Sequence, residues 1–245
     1  MSVSKRVGRE ARHWRSVAHE SDLEKIWGWS GPAGKRRAAR RLDLLCDAAG
    51  LVPGRRALEI GCGGGAFTRG LAATGADLCS VDIVGGFVLR ARQRCASKPA
   101  SFALQDAHSL GFADHVFNAV IGVSVLHHLD PQRALAEIYR VLAPAGRLAF
   151  SEPNMMNPQI ALQKNISPLK RALGDTEDET AFFRWKLRRQ IESAGFKSVE
   201  VRPFDFLHPL VPAALVAPTD RLGRLMERIP MLREIAGSLL ITASR

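Results

Sequence analysis

At 245 residues, 46% hydrophobic and 24% charged, the chain is long enough for one large domain with a substantial core. It has no apolar run of about 18 residues, and Met1 to Trp14 is polar and basic, so neither a membrane-spanning helix nor a secretory leader is expected and a cytoplasmic protein is. The net charge of +11 sits on the flanks: residues 1–56 carry +7, residues 57–157 carry none, and residues 158–245 carry +4.

Residues 1–20 show no clear periodicity and are expected to form a loose arm or short helix. Ala38, Leu42, Leu45, Cys46 and Ala49 then make a helical stripe closed by Gly50, with Arg36, Arg37, Arg40 and Arg41 loading the other face. Residues 57–60 stop at glycines and read as a buried strand. Further strands at 78–81, 101–104, 117–123 and 147–150 alternate with helices at 66–73, 87–95 and 132–142. That rhythm predicts a parallel sheet covered on both faces.

From Glu152 the rhythm breaks, and an acidic cluster occupies 175–179. A helix over 182–194, a strand over 199–206 and a last strand over 237–243 follow. The apolar, proline-broken run 206–218 reads as pocket lining or ordinary core; with Arg221, Arg224 and Arg228 it would alternatively lie on a membrane surface. Cys46, Cys62, Cys79 and Cys95 form no C-x-x-C pair, so buried reduced thiols are expected and no metal site is. The basic flanks, with 27 Arg against 8 Lys, suit an anionic partner such as RNA or lipid, and suit solvated helix faces equally.

The decisive stretch is residues 58–68, where Gly61, Gly63, Gly64 and Gly65 turn a strand into a helix. Such a turn lets backbone approach a ligand, and the helix N-terminus behind it offers N–H groups to an anion. Asp82 ends the next strand, 21 residues after Gly61, where a carboxylate can accept from both hydroxyls of a ribose. Gly61, Gly63 and Ala66 also satisfy G-x-G-x-x-G/A, so a nicotinamide-dependent reductase competes at this point.

The wider pattern resembles the class I S-adenosylmethionine-dependent methyltransferases. Five segments carry the resemblance over residues 57–150: Glu59-x-Gly61-x-Gly63-x-Gly65; Asp82; Gln105-Asp106-Ala107; Val123-Ser124-Val125-Leu126-His127-His128-Leu129; and Arg140-Val141-Leu142-x-Pro144-x-Gly146-Arg147-Leu148. It departs from the family at Asn118, where an Asp is frequent, and it lacks the N/D-P-P-Y/F/W tetrapeptide of exocyclic-amine methylation.

The resemblance implies a doubly wound, mostly parallel seven-strand α/β sheet, Rossmann-like, with an antiparallel last strand and helical lid inserts. Residues 1–50 would form an N-terminal helical cap, 51–151 the cofactor-binding core, and 152–245 a substrate-side insert and C-terminal part. The cofactor would be S-adenosyl-L-methionine. Glu59 and the backbone of Gly61, Gly63 and Gly65 would hold its amino-acid portion, and Asp82 its ribose. Ile83 would pack on the adenine, Asp106 and Ala107 would face that ring, and Val123 and Ser124 would lie beneath the cofactor.

Proton removal from an acceptor needs a base, and His127 and His128 are the candidates in the core motifs, with His127 the choice. Trp27, Trp29, Glu152 and Asn154 are expected on the substrate side, under a roof formed by the segments 152–181 and 207–236. The expected reaction is methyl transfer to oxygen or carbon of a small or lipid-like metabolite. RNA methylation, a reductase and a non-catalytic cofactor-binding scaffold are the alternatives.

Overall fold

The structure, a computed structural model, describes residues 3–97, 99–172, 175–176 and 179–245. Of the acidic cluster at 175–179, Glu177 and Asp178 lie outside the described residues, as do Met1 and Ser2 of the N-terminal arm. The first half of the chain forms α1 (Val3–Val17), α2 (Leu23–Ile26), α3 (Gly31–Ala49), β1 (Arg56–Ile60), α4 (Thr68–Ala72), β2 (Asp77–Asp82), α5 (Gly85–Arg94), β3 (Ala100–Leu104) and β4 (Phe117–Val123). Then come α6 (Pro131–Val141), β5 (Leu142–Pro153), α7 (Pro158–Asn165), α8 (Ser167–Ala172), α9 (Arg184–Ser193), β6 (Lys197–Phe204), α10 (Ala213–Met226), α11 (Pro230–Arg233) and β7 (Ser238–Ser244).

The strands form one seven-stranded sheet in the order β3-β2-β1-β4-β5-β7-β6. β1 pairs in parallel with both β2 and β4, β4 with β5, and β2 with β3, whereas β7 lies antiparallel between β5 and β6. Connections run outward in opposite directions from β1 and β4, so a crevice opens beyond their carboxyl ends. This is the doubly wound sheet with an antiparallel last strand that the sequence implies.

Helices cover both faces because their apolar stripes match the sheet. Leu135, Ile138 and Val141 of α6 join Leu187 and Ile191 of α9 on Val120, Leu148 and Ile241. On the other face Leu45 and Ala49 of α3 meet Leu71 and Ala72 of α4 over Ala119, Ile121 and Ala149. Leu45 and Leu71 have no exposed surface, and burying a leucine contributes about 1.5–3 kcal/mol. The ends are chemically marked. Gly50 closes α3 at φ 62, Asp130 caps α6 through the Arg133 N–H ahead of Pro131, and Asn157 caps α7 through the N–H groups of Gln159 and Ile160.

Two segments differ from their sequence reading. The N-terminal arm, expected to be loose or a short helix, is a helix of 15 residues, α1, with Ala11 buried on it and Ala18 buried just past its end. The run 206–218 divides: Leu207 is buried as core, whereas Leu210 and, from Ala213, the first turns of α10 face solvent.

Candidate active site

The carboxyl ends of β1, β2 and β4 open into a cavity of about 520 Å³. Gly61 and Gly63 line it with φ of +71° and +49°; a Cβ on Gly61 would stand 2.5 Å from Val125 Cγ2, and one on Gly63 would stand 3.0 Å from the Trp27 ring. Both positions therefore require glycine. Gly65 is absent from the cavity wall: a Cβ there would sit 2.8 Å from Ala91 Cα, so this glycine lets α5 pack closely.

The loop amides are mostly spent on the protein itself. Gly61 and Cys62 donate to Val81 O (2.8 and 3.1 Å), Gly63 to Asp82 Oδ2 (2.9 Å) and Gly65 to Cys62 O (3.0 Å). The N–H groups of Gly61, Gly63 and Gly65, expected to hold the amino-acid portion of the cofactor, are thus engaged within the protein. Glu59 lines the cavity, and its Oε2 accepts from Thr68 and Ser80 hydroxyls at 2.7 Å; burial pushes its pKa up to about 7 against those bonds. Cys62 is no nucleophile here, because burial and then the Glu59 charge push its thiol far above the usual range.

Asp82 is fixed by two backbone donors, Val84 N–H on Oδ1 and Gly63 N–H on Oδ2, each at 2.9 Å. Burial raises its pKa to about 6. Ile83, Val123 and Ser124 lie on the same wall, Ser124 at φ 50. Asp106 and Ala107 complete this end. Asp106 Oδ1 accepts from the His108 N–H (2.9 Å) and lies 2.6 Å from His108 Nδ1. His108 Nε2 in turn accepts from Asp130 N–H at 2.9 Å, so the proton sits on Nδ1 and is donated to Asp106. That hydrogen bond lowers the Asp106 pKa. His108 orients the carboxylate, a role the sequence reading missed.

A buried guanidinium closes the opposite edge. Arg41 donates Nε to Ser151 Oγ (2.7 Å) and Nη2 to Ser238 Oγ (2.5 Å) and Asp205 Oδ2 (3.2 Å), while its buried Nη1 has no acceptor among the described residues. Burial lowers its pKa to about 10, so it stays charged at neutral pH. Trp29 stacks 4.8 Å from this guanidinium and 5.3 Å from that of Arg37. Arg41 was expected on the loaded outer face of its helix; it is 2% exposed and lines the cavity.

The far wall is ionic. His127 Nδ1 lies 2.6 Å from Glu152 Oε2, and its Nε2 lies 3.5 Å from Glu179 Oε1. Burial alone would lower the His127 pKa, but Glu152 and then Glu179 raise it to about 9, so this ring is an imidazolium at neutral pH. His128, 4.1 Å away ring to ring, goes the other way: burial and the neighbouring His127 charge lower its pKa, leaving a neutral imidazole. Its Nδ1 lies 3.1 Å from Glu10 Oε2, and Trp14 Nε1 also donates to that oxygen at 3.1 Å. Lys164 bridges Asp175 (2.9 Å) and Glu179. Burial would raise the Glu179 pKa, yet His127, His128 and Lys164 hold it well below the carboxylate range. His127, His128 and Glu179 bring one ligand atom each within 4.8 Å of one another, a spacing that could hold a metal ion; the Lys164 ammonium already supplies a cation to Glu179.

Trp27 and Trp29 line the cavity as expected positions, Trp27 over Gly63 and Trp29 over Arg41. Glu152 and Asn154 do not. Glu152 spends Oε1 on the N–H groups of Val125 (3.0 Å) and Leu126 (2.8 Å) and Oε2 on His127. Asn154 Nδ2 clasps the carbonyls of Glu234 and Ala236 (2.8 and 2.7 Å). Among the described residues, α1, the 26–29 turn, Ile160, Gln163, Lys164, Asp175 and Glu179 form the roof, and none of 207–236 touches the cavity.

Comparison with known proteins identifies this arrangement. Residues 58–150 match the family described as Methyltransferase domain. The chain is 33% identical over 176 residues to a demethylmenaquinone methyltransferase of Mycobacterium sp. (strain KMS), covering 64% of this chain and 74% of that protein. The chain belongs to the class I S-adenosylmethionine-dependent methyltransferases. Its methyl donor is S-adenosylmethionine, which sets the reductase reading aside. A demethylmenaquinone methyltransferase of Renibacterium salmoninarum is 36% identical over 120 residues, and the match spans about half (49%) of each chain. A ubiquinone biosynthesis O-methyltransferase of Methylococcus capsulatus is 28% identical over 148 residues, 56% of this chain and 62% of that one. The N-methyltransferase NodS of Bradyrhizobium japonicum WM9, solved with S-adenosyl-L-homocysteine, shares the fold at a TM-score of 0.62 and 21% identity, covering 93% of this methyltransferase and 94% of NodS.

The residues present fit the donor. Arg41, whose buried Nη1 has no acceptor among the described residues, is part of the cavity lining and would welcome a carboxylate, and two acids at strand ends, Asp82 and Asp106, line the same cavity.

Proposed function

We propose that this methyltransferase alkylates oxygen or ring carbon of a hydroxylated, lipid-like aromatic acceptor of the quinol type. The observation that carries the reading is that one cavity joins the strand-end acids Asp82 and Asp106 to a neutral, carboxylate-supported imidazole, His128, under an aromatic roof of Trp14 and Trp27. The names of the sequence relatives support the acceptor class.

S-adenosylmethionine supplies a methyl group already activated on a sulfonium, so the chain has to position two partners and remove a proton. Asp82 accepts the ribose hydroxyls with the lone pairs its two backbone donors leave open. Asp106, held by His108, accepts from the adenine amino group, and Ile83 and Ala107 pack on that ring. Arg41 Nη1 and Glu59 take the carboxylate and the ammonium of the amino-acid portion.

His128, rather than His127, is the base. An imidazolium already fixed by Glu152 cannot take a proton near pH 7, whereas the adjacent neutral ring can take one from an acceptor hydroxyl. The same deprotonation makes oxygen nucleophilic and drives electron density onto the ring carbon, so both outcomes need it. Glu10 stabilises the imidazolium that results.

The test is methyl transfer from labelled S-adenosylmethionine to a reduced hydroxynaphthoquinone, with mass spectrometry separating carbon from oxygen products. Labelled product supports the reading. Label appearing only in RNA would replace it, although Arg36 and Arg40, which motivate an RNA face, are engaged by Asp220 and Glu227.

A further inference from the structure

α10 is turned inside out. Its protein-facing side carries the charges: Asp220 Oδ2 meets Arg36 at 2.9 Å, and Glu227, just past its end, holds Arg40 through two bonds of 2.7 and 2.6 Å. Gly223 sits between them against Phe206, where a Cβ would stand 3.0 Å away. The other side carries leucines. Leu215, Leu222 and Leu225 follow at steps of seven and three, one stripe of the helix, and all three are exposed, as is Ile229 just beyond its end. Leu210 before the helix and Met231 in α11 extend the stripe at 83% and 86% exposure. A surface helix ordinarily buries such a stripe; here ion pairs hold it outward.

We propose that this stripe is a docking surface for an anionic lipid bilayer, lying in the plane of the headgroups. Charge complementarity selects that occupant. The acids of the segment, Asp220, Glu227 and Glu234, are all turned inward onto Arg36, Arg40 and Arg184. What remains outside is cationic: Arg221 and Arg228 are exposed and have no carboxylate partner among the described residues. A twofold contact between two copies would set these arginines against their own equivalents, which costs energy, while anionic headgroups complement them. Among the described residues no helix is long and apolar enough to cross a membrane, and the proposed contact is a superficial one.

The surface also connects to the site. Asn154 clasps the carbonyls of Glu234 and Ala236 directly after α11, and Gly237 and Ser238, the next residues, line the Arg41 end of the cavity. Bilayer contact therefore places the cavity at the boundary where a lipid-like acceptor resides. The inference rests on the outer surface and stands whichever acceptor is methylated.

Co-sedimentation of the full chain with phosphatidylcholine vesicles, with and without phosphatidylglycerol, tests it. Binding is expected to the anionic vesicles, weakened by salt, and reduced about tenfold or more by Leu222→Glu or Leu225→Glu. Arg221→Glu with Arg228→Glu should abolish the preference for anionic lipid. S-adenosylhomocysteine binding, unchanged in every variant, shows that the fold is intact. Failure to bind vesicles, or equal binding to neutral and anionic ones, would overturn the proposal. So would a concentration-dependent dimer in sedimentation velocity that Leu222→Glu dissociates, which would assign the stripe to a second copy.

Discussion

His127 and Glu152 are joined at 2.6 Å inside the protein, and the same carboxylate caps the turn that carries the histidine by accepting from the N–H groups of Val125 and Leu126. Glu152 thus fixes both the backbone and the charge of the segment after β4. His127 Nε2 then faces Glu179, and the second carboxylate completes the clamp.

The pair makes stability pH-dependent. The folded pKa of His127, about 9, lies above its ordinary value of 6.5, so the folded state holds the proton more tightly than the unfolded one. Its contribution is fully present below pH 6.5 and is lost as pH rises through about 9. Denaturant titrations should show this alkaline decline. His127→Gln should flatten it and cost about 3–5 kcal/mol, because it strips a buried carboxylate of its partner. An unchanged alkaline limb in the variant would show that another group carries it.

Cofactor affinity should fall in acid. Asp82 titrates near 6 and must be ionised to accept two hydroxyls, so protonation below that pH removes an acceptor site. Calorimetry with S-adenosylhomocysteine should give weaker binding at pH 5.5 than at 7.5. Asp82→Asn should weaken binding at pH 7.5 by about tenfold or more, the loss expected for hydrogen bonds to a charged group. Equal affinity at both pH values would remove Asp82 from the site.

Arg41 offers a sharper dissection, since it lines the cavity and its buried Nη1 has no acceptor among the described residues. Arg41→Lys should weaken S-adenosylhomocysteine about tenfold or more while leaving 5′-methylthioadenosine, which lacks the carboxylate, nearly unaffected. Parallel losses for both ligands would mean that the substitution disturbed the Ser151, Ser238 and Asp205 anchorage instead.

Glycines contribute through space. Gly61→Ala would place a methyl group 2.5 Å from Val125 and force a φ of +71° on a residue with a Cβ. The expected result is loss of S-adenosylhomocysteine binding together with a lower melting temperature. Gly65→Ala, outside the cavity but 2.8 Å from Ala91, should lower the melting temperature first.

Much of this architecture was legible in the chain. Apolar runs stopped by glycine, as at Ala57–Ile60, and striped helices such as α6 specify a parallel sheet, and the spacing from Gly61 to Asp82 places the crevice. What escaped was direction. Periodicity says which residues share a face, not whether that face looks inward, so the run 206–218 was open to pocket, core or membrane surface, and Arg41 was expected to point away from the cavity. Glu152 and Asn154 stand at a strand end beside the site, yet their side chains turn to backbone groups that only the fold brings near. The extent of α1 was not legible because Glu10 and His13 line the cavity beside Trp14, which puts polar side chains into its inward stripe; Ala11 and Trp14, with Ala18 just past its end, are the signal that remained.

The central claim is that one cavity binds the methyl donor and presents a neutral His128 to the acceptor. Methyl transfer to a reduced hydroxynaphthoquinone by the wild type and by His128→Ala, with S-adenosylhomocysteine affinity measured for both, tests it most directly. The expected result is unchanged affinity with transfer slowed about 10²–10⁴-fold and the acid limb of the pH–rate profile lost in the variant. Equal transfer rates and equal pH profiles in the two proteins would contradict it.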